Sequence, residues 1–345
     1  MTLTSLVYLG FFAAVAVLHY VLPRVLRPYF LLVANYAFYC YAPQYRPLAL
    51  VLAGATLITW LCGLVIGSTR VKAVRVLFLL LTLLGGAGVL LYYKYWGLVA
   101  DLVGGTALPR HDLLAPLGLS YFLFAAMSYT IDVFKRRCKV EYNPLHYAMF
   151  VSFFPTMITG PIERYPHLRP QLKQPRRFSY QRCAGGLFRI LWGYMKKMVI
   201  ADNLARYVGL VYGTPDTMAG PQLVAASLLF IVQLYMDFSG CCDIALGVGR
   251  ILGYDLIENF RAPFEATSFS ELWNRWHISM TSWFRDYIYF PMGGSRCNLV
   301  RRSLNVIIVF TVSGLWHGAE WQYLLWGLIC GVISAVGRAT LPARK

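Results

Sequence analysis

Apolar residues fall along the chain in long runs separated by short, polar and mostly basic connections. The runs Leu6–Leu22, Leu48–Ile66, Val76–Tyr93, Leu113–Phe134, Leu223–Met236, Leu304–Leu315 and Trp321–Val336 each read as a membrane-crossing helix. A span takes about 20 apolar residues, and fewer can suffice where a helix is enclosed or the bilayer adapts. Ten-residue segments of alternating polarity are absent, so the spans are helical and not barrel strands. Two stretches break the pattern. Phe150–Ile162 carries Pro155, Gly160 and Pro161 inside an apolar run. Proline kinks or ends helices, and irregular backbone at membrane depth survives only inside protein or beside a cavity. A re-entrant turn is expected there, followed by a basic loop over Glu163–Arg182. Asp255–Arg302 is too rich in Trp, Arg, Asn and Asp to span. It reads as helices lying at the cytoplasmic interface or folded into the membrane. Gly186–Asp202 mixes Arg189, Lys196 and Lys197 into an apolar pattern, which leaves an interfacial amphipathic helix and a helix packed inside the bundle as alternatives. No linker divides the chain, so residues 1–345 are expected to form one membrane-embedded domain, all-α and multi-pass.

Composition sharpens this picture by what it lacks. Of 345 residues 58% are hydrophobic and only 14% charged, with mean hydropathy +0.54, whereas soluble domains carry about a quarter charged residues. The formal charge of +17 invites a nucleic-acid reading, but its distribution opposes it. Lys and Arg cluster in alternate connections: Arg24 and Arg27, then Arg70, Lys72 and Arg75, then Lys135, Arg136, Arg137 and Lys139. The intervening connections carry Arg46, and then Lys94 and Arg110 offset by Asp101 and Asp112. That alternation is the positive-inside pattern; it places the N-terminus outside and the basic loops in the cytoplasm, facing anionic lipid. The inner, cytoplasmic membrane is the expected location, with membrane lipid and not nucleic acid as the partner. Eight cysteines show no C-x-x-C or zinc-ligand spacing and read as unpaired small hydrophobes; no metal is expected. The first run lacks a basic n-region and a cleavage site, so it reads as an uncleaved span.

Candidate chemistry rests on histidine. His19, His111, His146 and His167 lie near a span end or in polar connections and read as structural. His317 stands at the joint between two apolar runs, in Ser313-Gly-Leu-Trp-His-Gly-Ala319. An ionisable residue at membrane depth is a functional candidate by default, and its small neighbours leave room for a substrate. His277 lies in Trp273-Asn-Arg-Trp-His-Ile-Ser-Met280; on a helix, Trp273 and His277 would share one face at i and i+4 with Trp276 adjoining. Such aromatics suit either a pocket wall or an interfacial belt. No G-x-S-x-G, no phosphate-binding G-x-x-x-x-G-K and no His-x4-Asp dyad is present. Gly247, Gly249 and Gly253 mimic a dinucleotide loop imperfectly, and a glycine-lined helix contact explains them better.

At Ser152–Tyr165, Lys196–Leu204, Met236–Gly247, Asn259–Phe264, Phe269–Gly294 and Leu315–Gly318 the chain resembles the membrane-bound O-acyltransferase (MBOAT) family. The closer branch is the one serving alginate O-acetylation, and the more distant one serves teichoic-acid D-alanylation. The resemblance implies a helical bundle with re-entrant and interfacial helices around a tunnel that meets the active site from both membrane faces. It places the family's histidine on His317 and a second polar site on His277. Cys241-Cys242 stands where relatives commonly have other small or aromatic residues. Relatives of this branch continue through further spans beyond the histidine, so a chain ending at Lys345 reads as a short or a truncated member.

The function expected from residues and resemblance together is transfer of an acyl group, acetyl in the first instance, to hydroxyls of an exported polysaccharide. Histidine suits the base at neutral pH. His317 takes that role, while His277, Asn259, Trp316 and the Trp273/Trp276 wall orient substrate or polarise the acyl carbonyl. Asp237 and Asp243 are placed as buried carboxylates near one helix face, to orient a histidine or to pair with buried arginine. No bound cofactor is expected: the donor would be acetyl-CoA or an acyl carrier protein from the cytosol, and a periplasmic or extracellular acyltransferase partner would finish transfer to the glycan. D-alanyl transfer from a carrier protein is the alternative enzyme. A flippase for lipid-linked glycan is the non-enzymatic one, and it predicts no dependence on histidine.

Overall fold

The computed structural model describes residues 1–103, 113–174 and 176–340. His111, Arg110 and Asp112, invoked above, lie outside the described residues. In chain order the helices are α1 (Leu6–Val21), α2 (Arg27–Tyr39), α3 (Ala49–Ser68), α4 (Lys72–Leu90), α5 (Trp96–Leu102), α6 (Leu119–Phe134), α7 (Pro144–Val151), α8 (Phe154–Met157), α9 (Tyr165–Lys173), α10 (Tyr180–Tyr194), α11 (Asp202–Gly213), α12 (Gly220–Ile251), α13 (Phe269–Arg275), α14 (Ile278–Phe284), α15 (Leu299–His317) and α16 (Trp321–Thr340). Among the described residues there is no β-strand, and the chain is an all-α membrane protein.

Among the described residues four helical stretches are long and apolar enough to cross a bilayer: Pro43–Ser68, Lys72–Asp101, Gly220–Ile251 and Leu299–His317. Several expected boundaries shift. The run Leu223–Met236 is only the first half of a 32-residue helix that continues through Asp237 and Asp243 to Ile251. Its second half is polar because it faces protein partners and not lipid. Helix α6 begins at Leu119 and not Leu113, entered through a left-handed Gly118 (φ 66°). Lys94 sits not in a loop but in a π-turn, Leu91–Tyr95, that joins α4 to α5. Helices α1 and α6 have 16 residues each, short for a span by themselves.

Phe150–Ile162 is irregular as expected. Phe150, Phe153, Phe154, Met157 and Ile162 are all almost wholly buried, so this broken backbone is enclosed by protein. The following segment is no loop: α9 crosses it, tied down by Tyr165 and Leu168 in the core. The larger core cluster is mainly aliphatic and has Tyr8, Phe38, Tyr129, Tyr147, Phe150, Phe154, Tyr165 and Tyr254 among its aromatic members. A second cluster gathers Phe124, Met127, Ile162, Met280, Trp283, Phe284 and Trp316. Within it Phe124 stacks on Trp283 at 4.1 Å, and the Trp283 indole donates to the Phe124 carbonyl at 3.0 Å.

The alternatives for Gly186–Asp202 resolve toward packing, since α10 lies along α12. A Cβ on Gly193 would meet the Gly240 carbonyl at 2.6 Å, and one on Gly247 would meet the Gly186 carbonyl at 2.6 Å. Gly247 is therefore a helix-contact residue that lets two backbones touch, whereas Gly249 packs on Leu256 and Gly253 (φ 91°) turns the chain just after α12. Helix α15 packs on α16 in the same way, where a Cβ on Gly327 would meet the Phe310 carbonyl at 2.5 Å.

Candidate active site

The segment from Trp273 to Met280 is not one helix. Helix α13 ends at Arg275, Trp276 is extended, and His277 takes a left-handed conformation (φ 46°) as the residue that opens α14. The break separates Trp273 and His277, expected on one face, and the adjoining Trp276. Trp276 turns to Tyr235 and Phe260, with ring centroids 5.8 and 5.1 Å away. Trp273 packs on Phe310 at 5.1 Å and Trp326 at 5.9 Å. His277 is 1% exposed, caged by Phe238 at 4.7 Å and Trp316 at 5.9 Å. Burial, and then the neighbouring His317, hold its pKa well below the ordinary histidine range, so the imidazole is neutral. Its Nδ1 is buried without a protein partner.

Asn259 is wholly buried and fixes this break. Its carbonyl accepts from the Ile278 N–H at 3.0 Å, and its Oδ1 accepts from the Ser279 N–H at 3.1 Å. Its Nδ2 donates to the Cys242 sulfur at 3.4 Å, and the Ser279 hydroxyl in turn accepts from the Ile162 N–H at 2.9 Å. The re-entrant segment, α12 and α14 therefore meet at one polar staple beneath His277. Next to Asn259, Glu258 receives both Arg189 guanidinium nitrogens at 2.5 and 2.6 Å. Arg189 also bonds Asp243, which Lys196 reaches at 2.7 Å.

The two aspartates thus serve as ion-pair partners, and among the described residues no hydrogen bond joins either to a histidine. Asp243 is 8% exposed. Asp237 is not buried; its side chain is 42% exposed and pairs with Lys197 at 3.0 Å. Nor do the two share a face, because six residues of α-helix turn through about 600°.

His317 is the last residue of α15 and, unlike His277, is exposed. Trp316 beside it is buried and stands between the two histidines, 4.9 Å from the ring of His317 and 5.9 Å from that of His277. Tyr121 and Phe124 back it at 5.7 and 5.8 Å. The last carbonyls of a helix have no partner within it. Here the Tyr95 hydroxyl donates to the Leu315 carbonyl at 2.6 Å, and the Lys94 ammonium donates to that of Trp316. A cation at a helix C-terminus also suits the helix dipole. The π-turn after α4 thus clamps the end of α15 just where His317 begins.

A cavity of about 920 Å³ adjoins this site. Its lining includes Arg285, Arg302 and Arg338 as well as Trp273, Phe310 and Ser313. Ser313 lies one helical turn before His317. Neither histidine lines the cavity, and Trp326 packs against both Trp273 in its wall and His317. Sequence reasoning missed Trp326, Phe238, Lys94 and Tyr95. For Lys94 the signal was available: a lone cation following an apolar run is itself a marker of a functional position.

Of the predicted residues, the structure brings together His277, Trp316 and His317, with Asn259 directly beneath His277. Trp273 stands behind Trp326, the Trp276 ring packs on Phe260, which meets Phe238 of the His277 cage, and Asp237 and Asp243 pair with cations of α10 and of Met195–Ala201 after it. Among the described residues no cluster of three or more His, Cys, Asp or Glu could hold a metal ion.

Comparison with known proteins supplies the context for this geometry. The chain is 34% identical to a probable alginate O-acetylase, AlgI, of Pseudomonas aeruginosa, across 98% of this chain and 66% of that protein. It is 32% identical to the peptidoglycan O-acetyltransferase of Helicobacter pylori, across 91% and 65%. A teichoic acid D-alanyltransferase of Bacillus subtilis is 30% identical across 65% of this chain and 59% of its own length. The chain spans about two thirds of the length of the first two relatives. The family model for MBOAT, the membrane-bound O-acyltransferase family, matches residues 107–343, and the chain belongs to that family.

Proposed function

We propose that this chain is the membrane O-acyltransferase core that moves an acetyl group from a cytosolic thioester toward hydroxyls of an exported polysaccharide, at the cytoplasmic membrane. The observation that carries the reading is the pair of imidazoles, one open and one sealed, joined by Trp316 at the clamped end of α15. Acyl transfer to an alcohol needs a base for the hydroxyl proton while oxygen attacks the acyl carbon. His317, exposed and held by its helix, takes that proton. The C–O bond forms as the C–S bond to the donor breaks, and the imidazolium returns the proton to the departing thiolate. A positioned base of this kind contributes about 10²–10⁴-fold. His277, neutral and with one nitrogen unpaired, orients the donor end of the site.

The cavity that holds Arg285, Arg302 and Arg338 suits the anionic part of such a donor, acetyl-CoA or an acyl carrier protein. Its nearness to Ser313 brings that approach within a helical turn of His317. A periplasmic or extracellular acyltransferase partner completes transfer to the glycan. The reading is tested in cells by measuring ester-linked acetyl on exported polysaccharide. His317→Ala should insert in the membrane at wild-type abundance and lose that ester. Wild-type acetylation in the variant removes His317 from the mechanism.

A further inference from the structure

The two basic connections that flank α3–α4 and α6–α7 are far apart in sequence but meet in space. Gly67, at the end of α3, lies against Val140 and Val133, so closely that a Cβ there would overlap the Val140 side chain. The Arg75 guanidinium reaches back to donate to the Phe134 carbonyl at the end of α6. Between these contacts lies a cleft of about 780 Å³, separate from the cavity beside the histidines. Arg70, Arg75, Arg136, Arg137, Lys139 and Arg169 all line it, with the hydroxyls of Ser68, Thr69 and Tyr142, and no carboxylate does.

The nearby acids are already engaged. Glu141 takes the Tyr165 hydroxyl at 2.5 Å, Lys173 at 3.1 Å and Arg169 at 3.5 Å. Asp132 accepts from the Tyr287 hydroxyl at 2.8 Å. Arg70, Arg136, Arg137 and Lys139 are exposed, and none makes an ion pair among the described residues. The backbone itself aims two of them. Arg136 takes a left-handed conformation (φ 56°), and the Arg137 N–H closes on the Asp132 carbonyl at 2.8 Å.

Basic loops at a membrane surface ordinarily spread their charges over lipid. Here Arg70, Arg136, Arg137 and Lys139 from the two connections, Arg75 of α4 and Arg169 of α9 line one concavity with hydroxyl donors, and of the six only Arg169 is paired with a carboxylate among the described residues. Like charges held that close repel, and a monovalent anion in an exposed setting would offset little of this. Guanidinium forks match phosphate oxygens pairwise. We propose that this cleft is a binding site for a phosphate-bearing anion of at least two negative charges, either a phospholipid headgroup or a soluble diphosphate. The site is independent of the acyl-transfer reading, since neither histidine takes part.

The test uses the full chain purified in nonionic detergent at low salt, with two probes: pyrophosphate followed by calorimetry, and cardiolipin followed by native mass spectrometry. The variant replaces Arg70, Arg136, Arg137 and Lys139 together by glutamine. A control removes equal charge outside the cleft, at Arg24, Arg177, Arg296 and Arg301. The cleft variant should elute as the wild type does and bind its probe at least tenfold more weakly, while the control binds normally. Retention of cardiolipin alone identifies a lipid headgroup, and binding of pyrophosphate identifies a soluble phosphate; either supports the site. No binding of either probe, or equal loss in variant and control, overturns it.

Discussion

A left-handed backbone at a side chain as large as histidine costs about 1–2 kcal/mol, and strain of this kind persists only where its surroundings impose it. At His277 the imposing residue is Asn259, whose carbonyl and side-chain oxygen take two successive N–H groups of α14. Asn259→Ala would leave the buried Ser279 N–H without its partner, which costs about 1–3 kcal/mol. Thermal unfolding should fall accordingly, and kcat for acyl transfer should drop more than KM rises, because the loss moves His277 and removes no substrate contact. An effect confined to KM would instead place Asn259 against substrate. At this scale the sequence was only partly legible. His317 and Trp316 stand out through residue type at an apolar joint, and His277 through its place among tryptophans in a polar stretch. The partners of Asp237 and Asp243 do not, because they come from α10 and the π-helical stretch Met195–Ala201 after it, far away in sequence, and only packing reveals them.

Helices were easier to read than their ends. Long apolar runs show where chain enters lipid-like surroundings, so α3, α4 and α15 were expected close to where they lie. The second half of α12 was not, because a helix that faces other helices can carry Asp, Cys and Gly without an apolar stripe. Helix α9 was hidden for a similar reason: its anchors, Tyr165 and Leu168, are few, and polar residues surround them. A pH effect belongs to this element. Glu163 bonds His167 at 2.9 Å and also accepts from the Ile257 N–H at 2.6 Å, tying α9 to the chain that leads to Asn259. The hydrogen bond that His167 donates to the Glu163 carboxylate raises its pKa above the ordinary value. A raised histidine stabilises the fold fully below its unfolded pKa of about 6.5 and loses that contribution as pH rises through the folded value. The pair is partly exposed, so the effect is a few tenths of a kcal/mol. Unfolding midpoints of wild type and His167→Gln should differ at pH 5.5 and converge by pH 8.5; a difference that grows with pH would reverse the assignment.

For the whole molecule, class and family were legible from charge depletion, apolar runs and ordered motifs, whereas the arrangement of the halves around Trp316 was not. Three separate elements converge there: α15 with its histidine, the clamp from Lys94 and Tyr95, and the break at His277. No periodicity within any one of them specifies that meeting. The contact of Gly67 with Val140 places the two basic connections on the same face, as the alternation of charge requires. Cysteines introduced singly at 70–75 and 135–139 should therefore react with an impermeant thiol reagent only after the cytoplasmic side is opened. Labelling of the two segments from opposite sides would contradict both the packing and the orientation. The central claim, that His317 performs acyl transfer, is tested most directly with the purified full chain and radiolabelled acetyl donor, scoring donor binding and label transfer separately. His317→Ala should bind donor as the wild type does and transfer at a rate lower by at least 10², and His277→Ala added to it should cost little more, since residues acting as a unit are non-additive. Transfer by His317→Ala at the wild-type rate would contradict it.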